Sequence, residues 1–130
     1  MNHLAHFALA GPSTECLVGA FLGDYVKGRL KGVYSEDIET GIALHRAIDA
    51  FTDHHPIVRR SQARFDAQYR RYAGIMTDII YDHVLAQAWS IYYPEPLIEF
   101  SQRSLQTLVD HGHLFEPGGI QTATRMLEHN

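Results

Sequence analysis

The chain has 130 residues, enough for one modest core, and its 45% hydrophobic and 20% charged residues are those of an ordinary globular protein. A net charge of −4 gives no overall signal for nucleic acid, and no apolar run is long enough to cross a bilayer. The single cysteine, Cys16, excludes an intramolecular disulfide and a CxxC zinc site and fits a reducing cytoplasm, while nine histidines stand out as an excess.

In chain order, residues 2–9 predict a short apolar helix carrying His3 and His6 on one face. The stretch "GPST" breaks it, and Ser13 or Thr14 can cap a second helix over about 15–28. Gly28 and Gly32 mark a loop. Ser35, followed by Glu36 and Asp37, opens a third helix with acids at the positive end of its dipole. That helix should run to about Asp53, because the residue before Pro56 avoids the helical region. Pro56 starts a fourth, over about 57–70, and further helices are predicted over about 73–92, 96–110 and 119–129. Strand-like alternation is scarce, and no repeat or linker interrupts the chain. The expectation is a single domain, 1–130, folded as an all-α helical bundle.

Two of these helices carry acids where apolar residues belong. Over 36–53, Ile38, Ile42, Leu44, Ile48 and Phe51 define an apolar arc, with His45 and Asp49 inside it and Asp53 at its edge. Over 73–92, Asp78 and Asp82 share a stripe with Leu85 and Trp89, and His83 points about 100° away. A carboxylate buried alone costs several kcal/mol, so these groups must be protonated, paired or bound to a cation. One inward histidine alone is usually a hydrogen-bonded core residue, and one aspartate can pair with an arginine or cap a neighbouring helix. Taken together, two helices offering carboxylates and an imidazole suit Mn²⁺, Mg²⁺ or Fe²⁺ better than a thiolate-seeking zinc. Spacing leaves one metal or two open.

Eight of the eleven basic residues fall in "KGRLK" (27–31) and "RRSQARFDAQYRR" (59–71). Either segment can be a solvated helix face or a docking surface for an acidic partner.

Four blocks, "NHLAHFALA" (2–10), "GAFLGDYVKG" (19–28), "GIALHRAIDAFTDHHPIVRR" (41–60) and "RRYAGIMTDIIYDHVLAQAW" (70–89), resemble in order and spacing the bacterial acyl carrier protein phosphodiesterases. The resemblance implies an α-helical fold distantly like the HD-domain phosphohydrolases. It implies hydrolysis of the 4′-phosphopantetheine arm from holo-acyl carrier protein, with a divalent cation, Mn²⁺ in particular. Carried over by position are His3, His6, Asp24, His45, Asp49, Asp53, Asp78, Asp82 and His83, whose individual roles the resemblance leaves open; Asp24, His45, Asp49, Asp78 and Asp82 are the expected metal group. His3, His6, His83 and Asp53 are expected near the chemistry or in proton transfer. Lys27 and Arg29 are candidates for the substrate phosphate, and Arg59, Arg60 and Arg64 for steering an acidic carrier protein. Two departures accompany the match. Ala20 stands where relatives commonly have asparagine, and the chain stops where relatives continue with further helices. A phosphohydrolase acting on another phosphoester, such as a nucleotide, and a shortened inactive binding module remain the alternatives. An apolar stripe formed by Ala123, Met126 and Leu127 raises the expectation of a homo-oligomer, most simply a dimer.

Overall fold

The computed structural model describes residues 1–129, and every regular element among them is helical. The order is α1 His3–Leu9, α2 Thr14–Leu22, α3 Glu36–His54, α4 Pro56–Gln62, a 3-10 turn Ala67–Tyr72, α5 Ala73–Gln87, α6 Trp89–Tyr92, α7 Leu97–Asp110, a 3-10 turn Gly112–Leu114 and α8 Pro117–Glu128. No helix among the described residues is long and apolar enough to cross a membrane.

The expected start signals act as read: Ser13 accepts from the Cys16 N–H and Ser35 from the Ile38 N–H. Three boundaries differ. The second helix ends at Leu22, not near 28, and the chain turns back through Val26 N–H to Leu22 O at 2.8 Å. This frees residues 23–35 as a loop. The segment expected as one helix over 57–70 stops at Gln62 and resumes as the 3-10 turn. The helix expected over 73–92 breaks at Ala88, which turns the buried Trp89 onto Tyr93 and Phe100 and lets its indole N–H reach Glu95 O at 2.8 Å.

Packing centres on α2 and α3. A Cβ on Gly19 would lie 2.2 Å from Ile38 O, and one on Gly41 would lie 2.4 Å from Cys16 O. Glycine is therefore required at both positions, and the two backbones touch there. Phe21, Ile42, Val18 and Leu108 are fully buried in the resulting core, each large side chain contributing roughly 1.5–3 kcal/mol. The apolar arc of α3 is narrower than the wheel suggested: Ile38, Gly41, Ile42 and His45 are buried, while Phe51 is 69% exposed. Helices α7 and α8 close the other side of α2. Ala123 is buried, and Met126 and Leu127 pack against the same core. The C-terminal stripe thus finds its cover within the chain, which removes the reason given for a second subunit.

Helix α1 is fixed from a distance. Its own N-cap, Asn2, makes no capping bond; instead the Asp82 carboxylate on α5 accepts the Leu4 N–H at 2.8 Å and the Ala5 N–H at 3.1 Å. Two orphan donors of a helix terminus are satisfied by one buried anion. Burial pushes the Asp82 carboxyl above its usual range even though both N–H groups favour the charged form. Asp82→Ala should cost about 2 kcal/mol of stability, with Asp82→Asn losing less, as read by chemical denaturation. Equal stability of Asp82→Ala and parent would remove this capping role.

Candidate metal centre

His45, on the buried face of α3, is 3% exposed and lies against Gly23, where a Cβ would come within 2.2 Å of its ring. Its Nδ1 is 2.7 Å from Ala20 O. A carbonyl only accepts, so Nδ1 carries the proton and Nε2 of the neutral ring presents a lone pair. That nitrogen faces Asp49 Oδ2 at 3.2 Å, one helical turn along, and Asp24 Oδ1 at 3.6 Å from the loop after α2. The interaction at position 20 is with the backbone, so alanine in place of asparagine leaves this contact intact.

His6 reaches the same carboxylate from α1. Its Nε2 donates to Asp49 Oδ1 at 3.0 Å, and its ring stacks on His45 with centroids 3.8 Å apart and an 11° interplanar angle. Its buried Nδ1 meets no hydrogen-bond partner among the described residues. Burial, and after it the repulsion that a protonated His45 would exert, pushes the His6 imidazole down to about 4. The ring therefore stays neutral near pH 7, the form that ligates metals.

His6, His45 and Asp49 each bring one nitrogen or oxygen within 4.8 Å of the others. The His45 Nε2 lone pair and the Asp49 carboxylate oxygens converge there, and His6 Nε2 can join them as a ligand when its proton sits on Nδ1. This donor set fits a divalent cation, with the His45 Nδ1–Ala20 bond supplying the outer support that fixes a ligating imidazole.

Around this group lies a wider acidic rim. The Met1 ammonium is 3.1 Å from Asp49 Oδ1 and 3.3 Å from Asp78 Oδ1. Burial lowers the pKa of that amine, but Asp49 and Asp78 outweigh it and hold the net value above the ordinary one. Burial raises the Asp78 carboxyl; the ammonium pulls it down, and Asp53 and Asp49 push it up again. His3 Nδ1 lies 3.6 Å from Asp24 Oδ2 at the mouth. A cavity of about 320 Å³, lined by Gly23, Asp24, Val26, Lys27, Gly28, His45, Arg46 and Asp49, opens over the centre.

The structure thus gathers Asp24, His45 and Asp49 of the expected metal group and adds His6, which sequence reasoning had placed among the proton-transfer candidates. Asp78 meets Asp49 through the Met1 ammonium, and Asp53 stands exposed near Asp78. Asp82 is engaged by the α1 backbone, and His83 is exposed on α5 outside the cluster. Lys27 lines the cavity, whereas Arg29 borders a neighbouring one with Lys31 and Tyr34. Arg59, Arg60 and Arg64 are exposed on α4 and the turn after it. Two parts that sequence reasoning missed are those of Ala20, noted only for its missing asparagine, and Gly23, played by a carbonyl and by the lack of a side chain. A third is Arg46, whose guanidinium holds Gly28 O at 2.8 Å and Val26 O at 3.0 Å.

Relatives with curated names include acyl carrier protein phosphodiesterases of Yersinia pestis, 38% identical over 85% of this chain and 58% of the relative; of Escherichia coli, 41% identical over 77% and 52%; and of Pectobacterium atrosepticum, 36% identical over 96% and 62%. The chain spans roughly half to three fifths of the length of these proteins. No solved structure matches it significantly. The family profile described as acyl carrier protein phosphodiesterase matches residues 1–130, from the α1 histidines to the last helix, and the chain belongs to that family.

Proposed function

We propose that this chain hydrolyses the phosphodiester joining 4′-phosphopantetheine to holo-acyl carrier protein, releasing the apo-protein, with a divalent cation, Mn²⁺ first, held by His6, His45 and Asp49. The observation that carries this reading is the bare His45 Nε2 facing two carboxylates at the floor of an open cavity. A bound cation there supplies charge for a phosphate oxygen and acidifies a water.

The chain's own residues have separable tasks. The Ala20 carbonyl fixes the His45 tautomer. Arg46 clamps the carbonyls on either side of Lys27, which sets the loop whose ammonium is available to a non-bridging phosphate oxygen. The His3–Asp24 pair at the mouth can take a proton from the incoming water or return one to the serine oxygen. Arg59, Arg60 and Arg64, exposed together, offer an acidic carrier protein a complementary surface.

The deciding experiment is release of phosphopantetheine from purified holo-acyl carrier protein with Mn²⁺, repeated with chelator. Activity abolished by chelator is the expected result. Nucleotide turnover without carrier-protein cleavage would replace this reading by the alternative phosphohydrolase, and inactivity toward both would leave a binding module.

Asp49→Ala should weaken Mn²⁺ binding more than tenfold in a direct titration while helical content by circular dichroism is unchanged. Equal affinity in variant and parent would remove Asp49 from the centre. The triple change Arg59→Glu, Arg60→Glu, Arg64→Glu should raise KM for the carrier protein, and parental activity should decline with salt. Unchanged kinetics and salt insensitivity would return these arginines to a solvated surface.

In chelator-treated protein, His6 adds a pH dependence of its own. Its pKa is about 4 in the fold against an ordinary 6.5, so the unfolded chain binds more protons over that interval. Stability should therefore fall as pH drops from 6.5 toward 4, by up to about 3 kcal/mol from this group. Denaturation of parent and His6→Asn at pH 7 and pH 5 checks it; parallel losses in both proteins contradict it.

A further inference from the structure

A second cavity, of about 240 Å³, lies between α4 and α5, lined by Ser61, Arg64, Phe65, Thr77, Ile80 and Tyr81. Its chemistry is unlike that of the acidic centre. Thr77 is 1% exposed, and its Oγ1 meets no hydrogen-bond partner among the described residues. A hydroxyl buried this deeply is costly to leave unpaired. Ser61 donates to Ile57 O at 3.2 Å, so at the 2.8 Å contact between the two hydroxyls Tyr81 is the donor and Ser61 the acceptor. Lone pairs on both oxygens remain available to an incoming N–H, while the Thr77 hydroxyl and the Arg64 guanidinium offer donors to a carbonyl. Phe65 and Ile80 supply apolar wall. Such a cavity recognises an amide with methyl or methylene groups beside it.

Size and position narrow the occupant. The cavity is smaller than the roughly 300–1,000 Å³ of sites that enclose a whole drug-sized ligand, so it suits part of an extended chain rather than a complete nucleotide. Asp78, the next residue after Thr77 on α5, meets the same Met1 ammonium as Asp49. Thr77 of the cavity and Asp78 of the acidic rim are thus consecutive residues of α5.

We propose that the α4–α5 cavity of Ser61, Thr77 and Tyr81 binds the amide-bearing pantetheine arm of the substrate. This rests on the phosphodiesterase reading for the identity of the arm, but not for the existence of an amide site.

The test titrates the full chain with free pantetheine, followed by NMR chemical shifts and calorimetry, beside Thr77→Val and Ile80→Trp. Ile80 is 47% exposed, so a tryptophan there can fill the cavity without disturbing the core. Pantetheine should bind the parent, shift signals of Ser61, Thr77 and Tyr81, and bind each variant at least tenfold more weakly. Thr77→Val, which removes an unpaired buried hydroxyl, should melt no lower than the parent. Should Thr77→Val fail to fold, Ile80→Trp decides alone. Absence of pantetheine binding, equal affinity in parent and variants, or shifts confined to His6 and His45 would each overturn the proposal. Hydrolysis of holo-carrier protein separates the two readings. Cleavage with kinetics untouched by Ile80→Trp upholds the activity and overturns the arm site, whereas arm binding lost in the variants of a chain that cleaves nothing upholds the arm site alone.

Discussion

The metal centre depends on the backbone contact between α2 and α3. Gly19 and Gly41 allow the two helices to meet without side chains between them, and Gly23, one turn after Gly19, admits the His45 ring, one turn after Gly41. The same approach brings Ala20 O to within 2.7 Å of His45 Nδ1. A methyl group at position 19 or 41 would force the backbones apart, because the obstructing atoms belong to main chain that cannot rotate away. The ring orientation, the tautomer and the separation of His45 from Asp24 therefore share one steric cause.

Charge then determines what that geometry can hold. Asp24, Asp49, Asp53 and Asp78 come from three separate elements, and the groups that meet this acidic cluster are imidazoles and one ammonium. Lysine and arginine stay out of the floor: Lys27 stands on the loop at the rim, and Arg46 is turned outward onto carbonyls of that loop. The floor is thus negative and the lip positive. A cation is drawn inward, and an anionic phosphate meets positive charge before it meets carboxylates. The bare Nδ1 of His6 and the close stacking of the two imidazoles are tolerated because the His6 ring remains uncharged in the buried layer.

Helical periodicity made the core of this site legible. His45 and Asp49 are four residues apart on a face that must be buried, so their conjunction follows from a wheel alone, as does the all-helical class from the absence of alternation. What a wheel lacks is the identity of the neighbour across the interface. Asp78 and Asp82 look equivalent on α5, yet the terminus of α1 claims Asp82 with two N–H groups and leaves Asp78 facing the ammonium. His6 belongs to a seven-residue helix whose central residues are all buried, and its partner lies 43 residues away. The cavity of Ser61, Thr77 and Tyr81 gives no periodic signal either, since isolated hydroxyls on two helices resemble ordinary surface until α4 and α5 are docked. Gly19, Gly23 and Gly41 read as breakers or indifferent positions in one dimension; only the crossing explains them.

One contact between the C-terminal region and the centre runs through aromatic side chains. Phe21 is fully buried on α2, directly after Ala20, and Phe115 packs its ring 5.0 Å away from behind. Phe21 also meets His3 at 5.8 Å and Tyr25 at 5.2 Å. Helices α7 and α8 supply no member of the His6–His45–Asp49 group, but they supply the surface against which Phe21 is pressed. Close-packed interiors transmit small displacements because there is no empty volume to absorb them. Phe21 therefore stands between Phe115 and His3, directly after the residue whose carbonyl accepts from His45 Nδ1.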